Sequence, residues 1–167
     1  MTRNISMIVA VDEQFAIGRN GDQLAYISAD LRHFKQLTTN HTIIMGRRTS
    51  DALPKGVLPN RRNIIVTRQL NWQRDGAEIA HSPKEAIDMC VNDGETFVIG
   101  GGELYRYFVP LANALYITHI KHSFDNADTF FPKIETDKWQ LAEGSETMLD
   151  EKTGLRFSFC KYLRISE

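Results

Sequence analysis

The fold of this chain is decided by the stretch T-F-V-I-G-G-G-E-L-Y-R-Y-F, residues 96–108. Its β-branched and aromatic start is typical of a buried strand, and the end reads as a helix. Between them, Gly100, Gly101 and Gly102 allow a sharp turn and the close approach of a ligand, because no Cβ is present. Free N–H groups at a helix start favour phosphate. The stretch predicts a strand, a phosphate-binding turn and a helix; the alternative is a tight turn that binds nothing.

Composition limits the class of protein. The chain has 167 residues, a net charge of −1, 42% hydrophobic and 25% charged residues. These values predict one globular domain, residues 1–167, with no general nucleic-acid-binding or membrane-binding surface. Cys90 and Cys160 stand in apolar patterns and are expected to be buried free thiols, which indicates a reducing compartment, the cytoplasm. We see no stretch able to span a bilayer.

Hydrophobic periodicity predicts the order of the elements. The predicted strands are Ile5–Val11, Thr42–Gly46, Asn63–Thr67, Glu78–Ala80, Ala114–His119, Trp139–Ala142 and Leu155–Ile165; the predicted helices are Ala29–Leu37 with Ser28 as its cap, Ser50–Leu53, a helix from Pro83 to about Asn92 behind a capping box, and one ending near Phe108. This mostly β-α-β order with antiparallel-looking strands at the end predicts an α/β, three-layer domain with a mixed, mostly parallel sheet. Residues 12–27 are predicted to be a long loop that serves as a lid.

One acid stands out on the first predicted helix. Asp30 lies four residues before Phe34, so both share a helix face beside the predicted lid. A carboxylate in an apolar cleft can accept two hydrogen bonds from a planar N–H/NH₂ pair, as it does from arginine. The alternative is that Asp30 only complements the helix dipole.

Two further strand ends carry groups suited to phosphates. Gly46 is followed by Arg47, Arg48 and Thr49, and Thr67-Arg68 ends the third predicted strand. Cations and hydroxyls at such turns can hold a pyrophosphate and a ribose phosphate, although surface arginines can also be merely solvated.

Metal and nucleophilic chemistry find no support in the sequence. His119 and His122 fall on a strand and its end, and H-E-x-x-H and G-x-S-x-G motifs are absent. No metal site is predicted. We therefore expect a phosphorylated cofactor to carry the reaction and the protein to position that cofactor.

Several spaced motifs in this order resemble the dihydrofolate reductase family. They are Ala16-Ile17-Gly18, Asp30-x-x-x-Phe34-Lys35, Ile44-Met45-Gly46-Arg47-x-Thr49, Leu58-Pro59-x-Arg61-x-Asn63, Ile99-Gly100-Gly101-Gly102-x-x-Tyr105, Leu115-Tyr116-Ile117-Thr118 and Asp128-Thr129-x-Phe131-Pro132. The resemblance runs from about Ile5 to Tyr162. It implies hydride transfer from NADPH to dihydrofolate, an eight-stranded mixed sheet flanked by helices, a cis Gly100–Gly101 peptide and inhibition by antifolates. We expect the chain to be a monomer.

The resemblance also implies roles for individual residues. Asp30, supported by Thr118, would grip the ring N–H and 2-amino group of the pterin. The substrate-binding residues would be Ile8, Phe34, Leu53, Leu58 and Arg61, the last pairing with the glutamate tail. The cofactor-binding residues would be Ala10, Ile17, Ile99 and Tyr105 at the nicotinamide, Gly46, Arg47, Arg48, Thr49, Gly100, Gly101 and Gly102 around the pyrophosphate, and Thr67 and Arg68 at the 2′-phosphate.

The chain departs from the family pattern in the lid. The usual Leu-Pro-Trp or Met-Pro-Trp is replaced by Gln23-Leu24-Ala25, with Tyr26 as a neighbour that could compensate. Ser50 replaces a usual aromatic residue, and Glu103 stands where some members have arginine. These changes lead to the hypothesis that diaminopyrimidine antifolates such as trimethoprim bind weakly. Two alternatives stay open: a reductase of another heterocycle, such as the riboflavin-pathway pyrimidine, and a nucleotide-binding module without catalysis.

Overall fold

A mixed sheet forms the centre of the structure, a computed structural model that describes residues 4–165. Residues 1–3 and 166–167 of the predicted domain lie outside the described residues. The strands are β1 (Ile5–Val11), β2 (Ala16–Arg19), β3 (Asp22–Gln23), β4 (Thr42–Gly46), β5 (Arg62–Val66), β6 (Ala77–Ala80), β7 (Thr96–Gly100), β8 (Ala114–Ile120), β9 (Thr129–Phe130), β10 (Trp139–Gly144), β11 (Met148–Leu149) and β12 (Arg156–Arg164). The helices are α1 (Ser28–Thr38), α2 (Arg47–Ala52), α3 (Pro83–Met89), α4 (Gly102–Phe108) and a 3₁₀ turn, Val109–Leu111.

The main sheet confirms the predicted fold class. Its eight-strand order is β10-β12-β8-β1-β7-β4-β5-β6, with β11 attached to β12. Strand β1 lies between β7 and β8 and is parallel to both, whereas β12 is antiparallel to β8 and β10. The mostly parallel centre with antiparallel strands at one edge matches the mixed sheet expected from the element order.

Alternating side chains divide the core between the two faces of the sheet. Ile44 and Val98 belong to one buried cluster, and their neighbours Ile43 and Phe97 belong to the other. Successive side chains of a strand point to opposite faces, so strands covered on both faces must be continuously apolar. The nearly continuous apolar runs of β1, β4 and β7 therefore require helices or loops on both sides, which produces three layers.

The predicted lid loop, residues 12–27, is not structureless. It contains β2 and β3, which join β9 in a second, three-stranded sheet of order β3-β2-β9. Asn20 and Gly21 connect β2 and β3 with φ values of 53° and 80°. Two left-handed residues form the tight turn that suits a β-hairpin, and Asn-Gly is its strongest sequence signal. The prediction of a loop was wrong because this dipeptide was not recognised as a hairpin turn.

Two helix starts also differ from prediction. Ser28 is the first residue of α1 and not its cap, since Ile27 occupies the cap position and offers no side-chain hydrogen bond. Helix α2 begins at Arg47 instead of Ser50. Arginine is a good helix former, so the residues predicted to form a loop after Gly46 can build the first helical turn.

The other boundaries lie close to the predictions. The capping serine of α3 is confirmed, because the Ser82 hydroxyl accepts a hydrogen bond from the Glu85 N–H at 3.1 Å. This helix ends at Met89 and not near Asn92, since Asn92, Asp93 and Gly94 favour a turn. The remaining predicted strands shift by one or two residues at their ends.

Both cysteines are free, as expected, but only Cys90 is buried and Cys160 is half-buried. Within residues 4–165, none of the helices combines the length and apolar character needed to cross a membrane.

Candidate active site

Parallel strands bring the predicted site residues to one edge of the sheet. Ala10 of β1 lies opposite Thr118 of β8, and Met45 of β4 lies opposite Gly100 of β7. These positions are near the carboxyl ends of β1, β4, β7 and β8. In open α/β sheets, ligands bind outside this edge, so the fold itself selects the cleft above these residues.

The structure brings Asp30 and Thr118 together across 88 residues of sequence. The Thr118 hydroxyl, which is 3% exposed, donates to Oδ1 of Asp30 at 2.5 Å. Burial raises the pKa of the Asp30 carboxyl above its usual range, while this hydrogen bond and the nearby His33 lower that pKa. Among the described residues, Oδ2 has no hydrogen-bond partner. The carboxylate is thus held at one oxygen and can accept from a ligand at the other.

We expect Thr118→Val to shift the pH dependence of the reaction. Valine removes the hydrogen bond that lowers the pKa of Asp30, so this pKa rises and the carboxylate is lost at a higher pH. The acid limb of kcat/KM for dihydrofolate should move to higher pH, with about a tenfold loss at neutral pH, as expected for a hydrogen bond to a charged group. A pH profile of initial rates measures both.

Thr96→Val is the matched control, because Thr96 is as buried as Thr118 and its hydroxyl oxygen has no hydrogen-bond partner among the described residues. It should leave the pH profile in place. An unshifted acid limb in Thr118→Val would contradict the role of Thr118.

Four of the predicted substrate-binding residues share one hydrophobic cluster. Ile8, which is 7% exposed, belongs to a buried cluster against which Phe34, Leu53 and Leu58 pack. Arg61 lies at the far end of the helix, donating to the Thr38 hydroxyl at 3.0 Å and to the Pro59 carbonyl at 2.9 Å. Burial lowers the pKa of its guanidinium.

Asp30 and Arg61, the charged groups of the predicted substrate site, are well separated. Asp30 and Thr38 belong to the same helix, eight positions apart, so about 12 Å of helix rise separates the acid from the residue that holds Arg61. The residues predicted to bind substrate therefore comprise a hydrogen-bond acceptor, a set of clustered apolar side chains, and a cation about two helical turns from the acceptor.

The residues predicted at the nicotinamide are only partly brought together. The buried Tyr105 hydroxyl donates to the Ile8 carbonyl at 2.8 Å, which links α4 to the substrate cleft. Ile99 packs against the same cluster as Ile8. Ile17 packs against the cluster on the other face of the sheet, and Ala10 packs against a third cluster. Neither residue therefore packs in the cluster that contains Ile8 and Ile99.

The three glycines form a turn, here called the cradle, that a side chain at Gly100 would obstruct. The Gly100–Gly101 peptide is cis, as predicted, and Gly100 has a φ of 137°. A Cβ on Gly100 would lie 3.2 Å from the Thr49 hydroxyl and 3.6 Å from that of Tyr105. Only glycine tolerates this backbone and leaves this space open. The residues present therefore fit a nucleotide pyrophosphate.

The second glycine turn adjoins the first. A Cβ on Gly46 would lie 3.9 Å from both the Gly100 carbonyl oxygen and the Gly101 nitrogen. Helix α2 starts here with Arg47, Arg48 and Thr49, and the Thr49 hydroxyl lies beside Gly100 and Gly101. Arg47 pairs with Asp51 at 2.7 Å, whereas Arg48 is exposed. The hydroxyl predicted for the pyrophosphate thus lies at the cradle, and the two predicted cations belong to the same first turn of α2.

Thr67 and Arg68 follow β5 at the same sheet edge. The Thr67 hydroxyl accepts from the Gln69 N–H at 3.2 Å, and Arg68 is exposed. His81 is a neighbour that the sequence interpretation missed: its Nδ1 lies 3.0 Å from the Thr67 carbonyl oxygen. The sequence signal for this contact was the position of His81 directly after β6. Strand β6 runs parallel to β5 with Ala80 opposite Val66, so the residues that follow the two strands are neighbours.

Buried and charged groups anchor the lid. Asp12, 2% exposed, accepts from the backbone N–H groups of Gln14 at 2.8 Å, Ala16 at 2.9 Å and Phe124 at 3.0 Å. Tyr26, the candidate compensation for the missing tryptophan, is 53% exposed and donates its hydroxyl to the Asp22 carboxylate. The base of the lid is therefore fixed, and Tyr26 is bound within the lid itself.

A partly buried carboxylate with one oxygen free of partners within residues 4–165, an apolar cluster and adjoining glycine turns suit an enzyme that binds a phosphorylated cofactor and a substrate with N–H donors. Comparisons with known proteins agree with this class. A family model described as dihydrofolate reductase matches residues 4–164. The chain belongs to the dihydrofolate reductase family, whose members reduce dihydrofolate to tetrahydrofolate with NADPH, so the predicted family, activity and cofactor are confirmed.

Individual relatives resemble nearly the whole chain. The dihydrofolate reductase of Staphylococcus haemolyticus is 39% identical over 161 residues, covering 96% of each chain. Dihydrofolate reductase type 3 of Salmonella typhimurium is 36% identical over 162 residues, covering 97% of each. The solved structure of the Enterococcus faecalis dihydrofolate reductase, complexed with NADP(H) and RAB-propyl, has a TM-score of 0.90 and 30% identity, covering 99% of each chain.

Proposed function

We propose that Asp30 anchors the pterin of dihydrofolate while solvent protonates its N5. The observation that supports this proposal is the Asp30–Thr118 pair, in which Oδ1 accepts from Thr118 and Oδ2 has no hydrogen-bond partner among the described residues. An anionic carboxylate that accepts from the ring N–H and 2-amino group favours positive charge on the ring, which makes N5 more basic. Thr118 holds the carboxylate in this orientation.

The cofactor supplies the hydride when it is bound, and the protein supplies positioning. Backbone groups of Gly46 and Gly100 to Gly102, the Thr49 hydroxyl and the cations Arg47 and Arg48 would hold the pyrophosphate. Thr67 and Arg68 would hold the 2′-phosphate, which favours NADPH over NADH. Ala10, Ile17, Ile99 and Tyr105 would surround the nicotinamide and exclude water from it.

The direct test of this function follows NADPH absorbance with and without dihydrofolate. We expect dihydrofolate-dependent consumption that Asp30→Ala abolishes. NADPH binding without consumption would instead support a non-catalytic nucleotide-binding module. Consumption with a riboflavin-pathway pyrimidine but not with dihydrofolate would support the other reductase.

For Arg61, we propose a contact with the glutamate carboxylate of the substrate. Arg61→Met should raise KM for dihydrofolate about 10- to 30-fold with little change in kcat, because one hydrogen-bonded charge pair is lost in ground and transition states alike. Steady-state kinetics measure both constants. Arg156→Met, at an exposed arginine of β12, is the matched control and should leave KM unchanged. A fall in kcat with constant KM would contradict this assignment.

We also propose that the altered lid weakens diaminopyrimidine binding. Gln23, Leu24 and Ala25 lack the aromatic ring that this family usually places here, and Tyr26 is engaged by Asp22. Burying one aromatic side chain contributes about 1.5–3 kcal/mol, so Leu24→Pro/Ala25→Trp should lower the trimethoprim inhibition constant about tenfold or more. Competitive inhibition assays give these constants. An unmodified chain that already binds as tightly as typical bacterial members would refute the proposal.

We propose that residues 1–167 form a single domain that acts as a monomer in the cytoplasm. Buried clusters on both faces of one sheet support a single domain, and the free thiols Cys90 and Cys160 support a reducing compartment. Sedimentation equilibrium at micromolar concentration tests the oligomeric state.

A further inference from the structure

Arg74 joins two parts of the site that no sequence motif connects. Its guanidinium donates through Nη1 to the Ser50 hydroxyl at 2.5 Å and through Nη2 to Oδ1 of Asp51 at 3.0 Å. The guanidinium carbon also lies 4.7 Å from the centre of the Trp72 ring. Three groups thus hold this planar side chain, and two of them belong to α2.

The loop after α2 closes over Arg74. The Ser50 hydroxyl, fully buried, donates to the Gly56 carbonyl at 2.5 Å. Gly56 has a φ of 75°, and a Cβ there would lie only 2.5 Å from Cδ of Arg74. The Arg74 side chain therefore fits here because residue 50 is small and polar and residue 56 is glycine. Ser50, the departure from the usual aromatic residue, is explained by this contact.

The closed loop carries the substrate side of the cleft. It begins at Leu53, passes through Gly56 and Leu58, and reaches Arg61. Leu53 and Leu58 pack against the cluster that contains Ile8. Because Arg74 reaches Gly56 through Ser50, it fixes the middle of this loop relative to α2.

The same guanidinium also sets the charge beside the glycine cradle. Asp51 pairs through Oδ1 with Arg74 and through Oδ2 with Arg47 at 2.7 Å. Two cations and one anion give this cluster a net charge of +1. Without Arg74 the cluster would be neutral, and Arg47 would be the only cation of the cluster paired with Asp51.

We propose that Arg74 is a positioning residue for both ligands: its hydrogen bonds to α2 fix the substrate loop, and its charge offsets Asp51 so that Arg47 remains available to a cofactor phosphate. This inference rests on the proposed function, because it takes Arg47 as a phosphate ligand and the Leu53–Leu58 loop as a substrate wall. The two effects have different physical causes, so they can be separated by substitution.

Three variants separate charge from hydrogen bonding. Arg74→Met removes both, and should raise the NADPH Kd about fivefold at low salt and KM for dihydrofolate about tenfold. Arg74→Lys keeps the charge but lacks the planar fork that reaches both Ser50 and Asp51, so only KM should rise. Arg74→Met/Asp51→Asn restores the +1 charge, so the NADPH Kd should return to normal while KM stays high.

Fluorescence titration with NADPH, steady-state kinetics and thermal unfolding are measured for each variant. The NADPH effect of Arg74→Met should also shrink as salt rises, which a purely structural role does not predict. Arg47→Met tests the underlying cofactor assignment separately: an unchanged NADPH Kd there would refute that assignment, while the KM results would still test the loop contact.

Two results would overturn the proposal. One is an Arg74→Met protein whose Kd and KM both stay within about twofold of the unmodified chain. The other is an equal loss of NADPH affinity in all three variants, accompanied by an equal fall in their unfolding temperatures. That result would mean that Arg74 only stabilises the fold.

Discussion

Replacing Asp30 with asparagine is expected to lower dihydrofolate turnover about 1000-fold at neutral pH, within the range of general acid–base effects. Asparagine keeps the shape and can still accept from Thr118, but it is neutral. It no longer favours positive charge on the pterin, so N5 becomes less basic when the hydride arrives. Its NH₂ group would also face the ring N–H and amino donors that the carboxylate accepts.

The loss should be pH-dependent in a defined direction. As pH falls, solution supplies more substrate that is already protonated, so the Asp30→Asn enzyme should recover activity. Single-turnover hydride transfer from about pH 5 to pH 8 tests this, because it separates chemistry from product release. Full activity at neutral pH would refute the role of Asp30, and an equal loss at every pH would refute the solvent proton.

The same substitution should stabilise the folded protein at neutral pH. Burial raises the pKa of Asp30 in the folded state, so the folded protein favours the protonated form. The stability contributed by that preference is present below the ordinary pKa of 3.8 and is lost as pH rises through the higher folded pKa. The neutral asparagine does not lose it. Thermal unfolding should show a higher Tm for Asp30→Asn at neutral pH and equal values in strong acid.

Gly100→Ala is expected to lower kcat/KM for NADPH about 100-fold. The new Cβ would enter the cradle 3.2 Å from the Thr49 hydroxyl, on a backbone with a φ of 137° that disfavours any side chain. Steric overlap and backbone strain each contribute about 1–3 kcal/mol, and 2.7 kcal/mol corresponds to about 100-fold. Titration of NADPH fluorescence should show the same loss in binding.

Gly94→Ala is the matched control for backbone strain. Gly94 has a φ of 78°, but a Cβ there would have no neighbour within 4 Å. It should lower Tm and leave NADPH binding unchanged. If Gly100→Ala bound NADPH normally, the glycine cradle would not be the cofactor site.

Local patterns predicted the parts of the molecule that depend on local physics. Continuous apolar runs identified β1 and β4, and the adjacent glycines and cations identified the cradle. The Asp30–Thr118 pair followed only from the family resemblance, since 88 positions separate the two residues. Arg74 and His81 were missed for the same reason: each acts through a contact made by the folding of distant segments, with Ser50 in one case and Thr67 in the other.

The central position of β1 has a consequence for synthesis. Its neighbours are β7 and β8, so the first strand made is among the last to be enclosed. At about 5–20 residues per second, the roughly 100 residues between β1 and β8 take about 5–20 seconds to emerge. Until β7 has been made, a nearly continuous apolar segment near the start of the nascent chain has neither of its partners, and until β8 has been made it has only one. The ribosome-bound chain is therefore exposed to aggregation until more than two-thirds of it has been made, since β8 begins at residue 114 of 167, and slow translation prolongs that exposure.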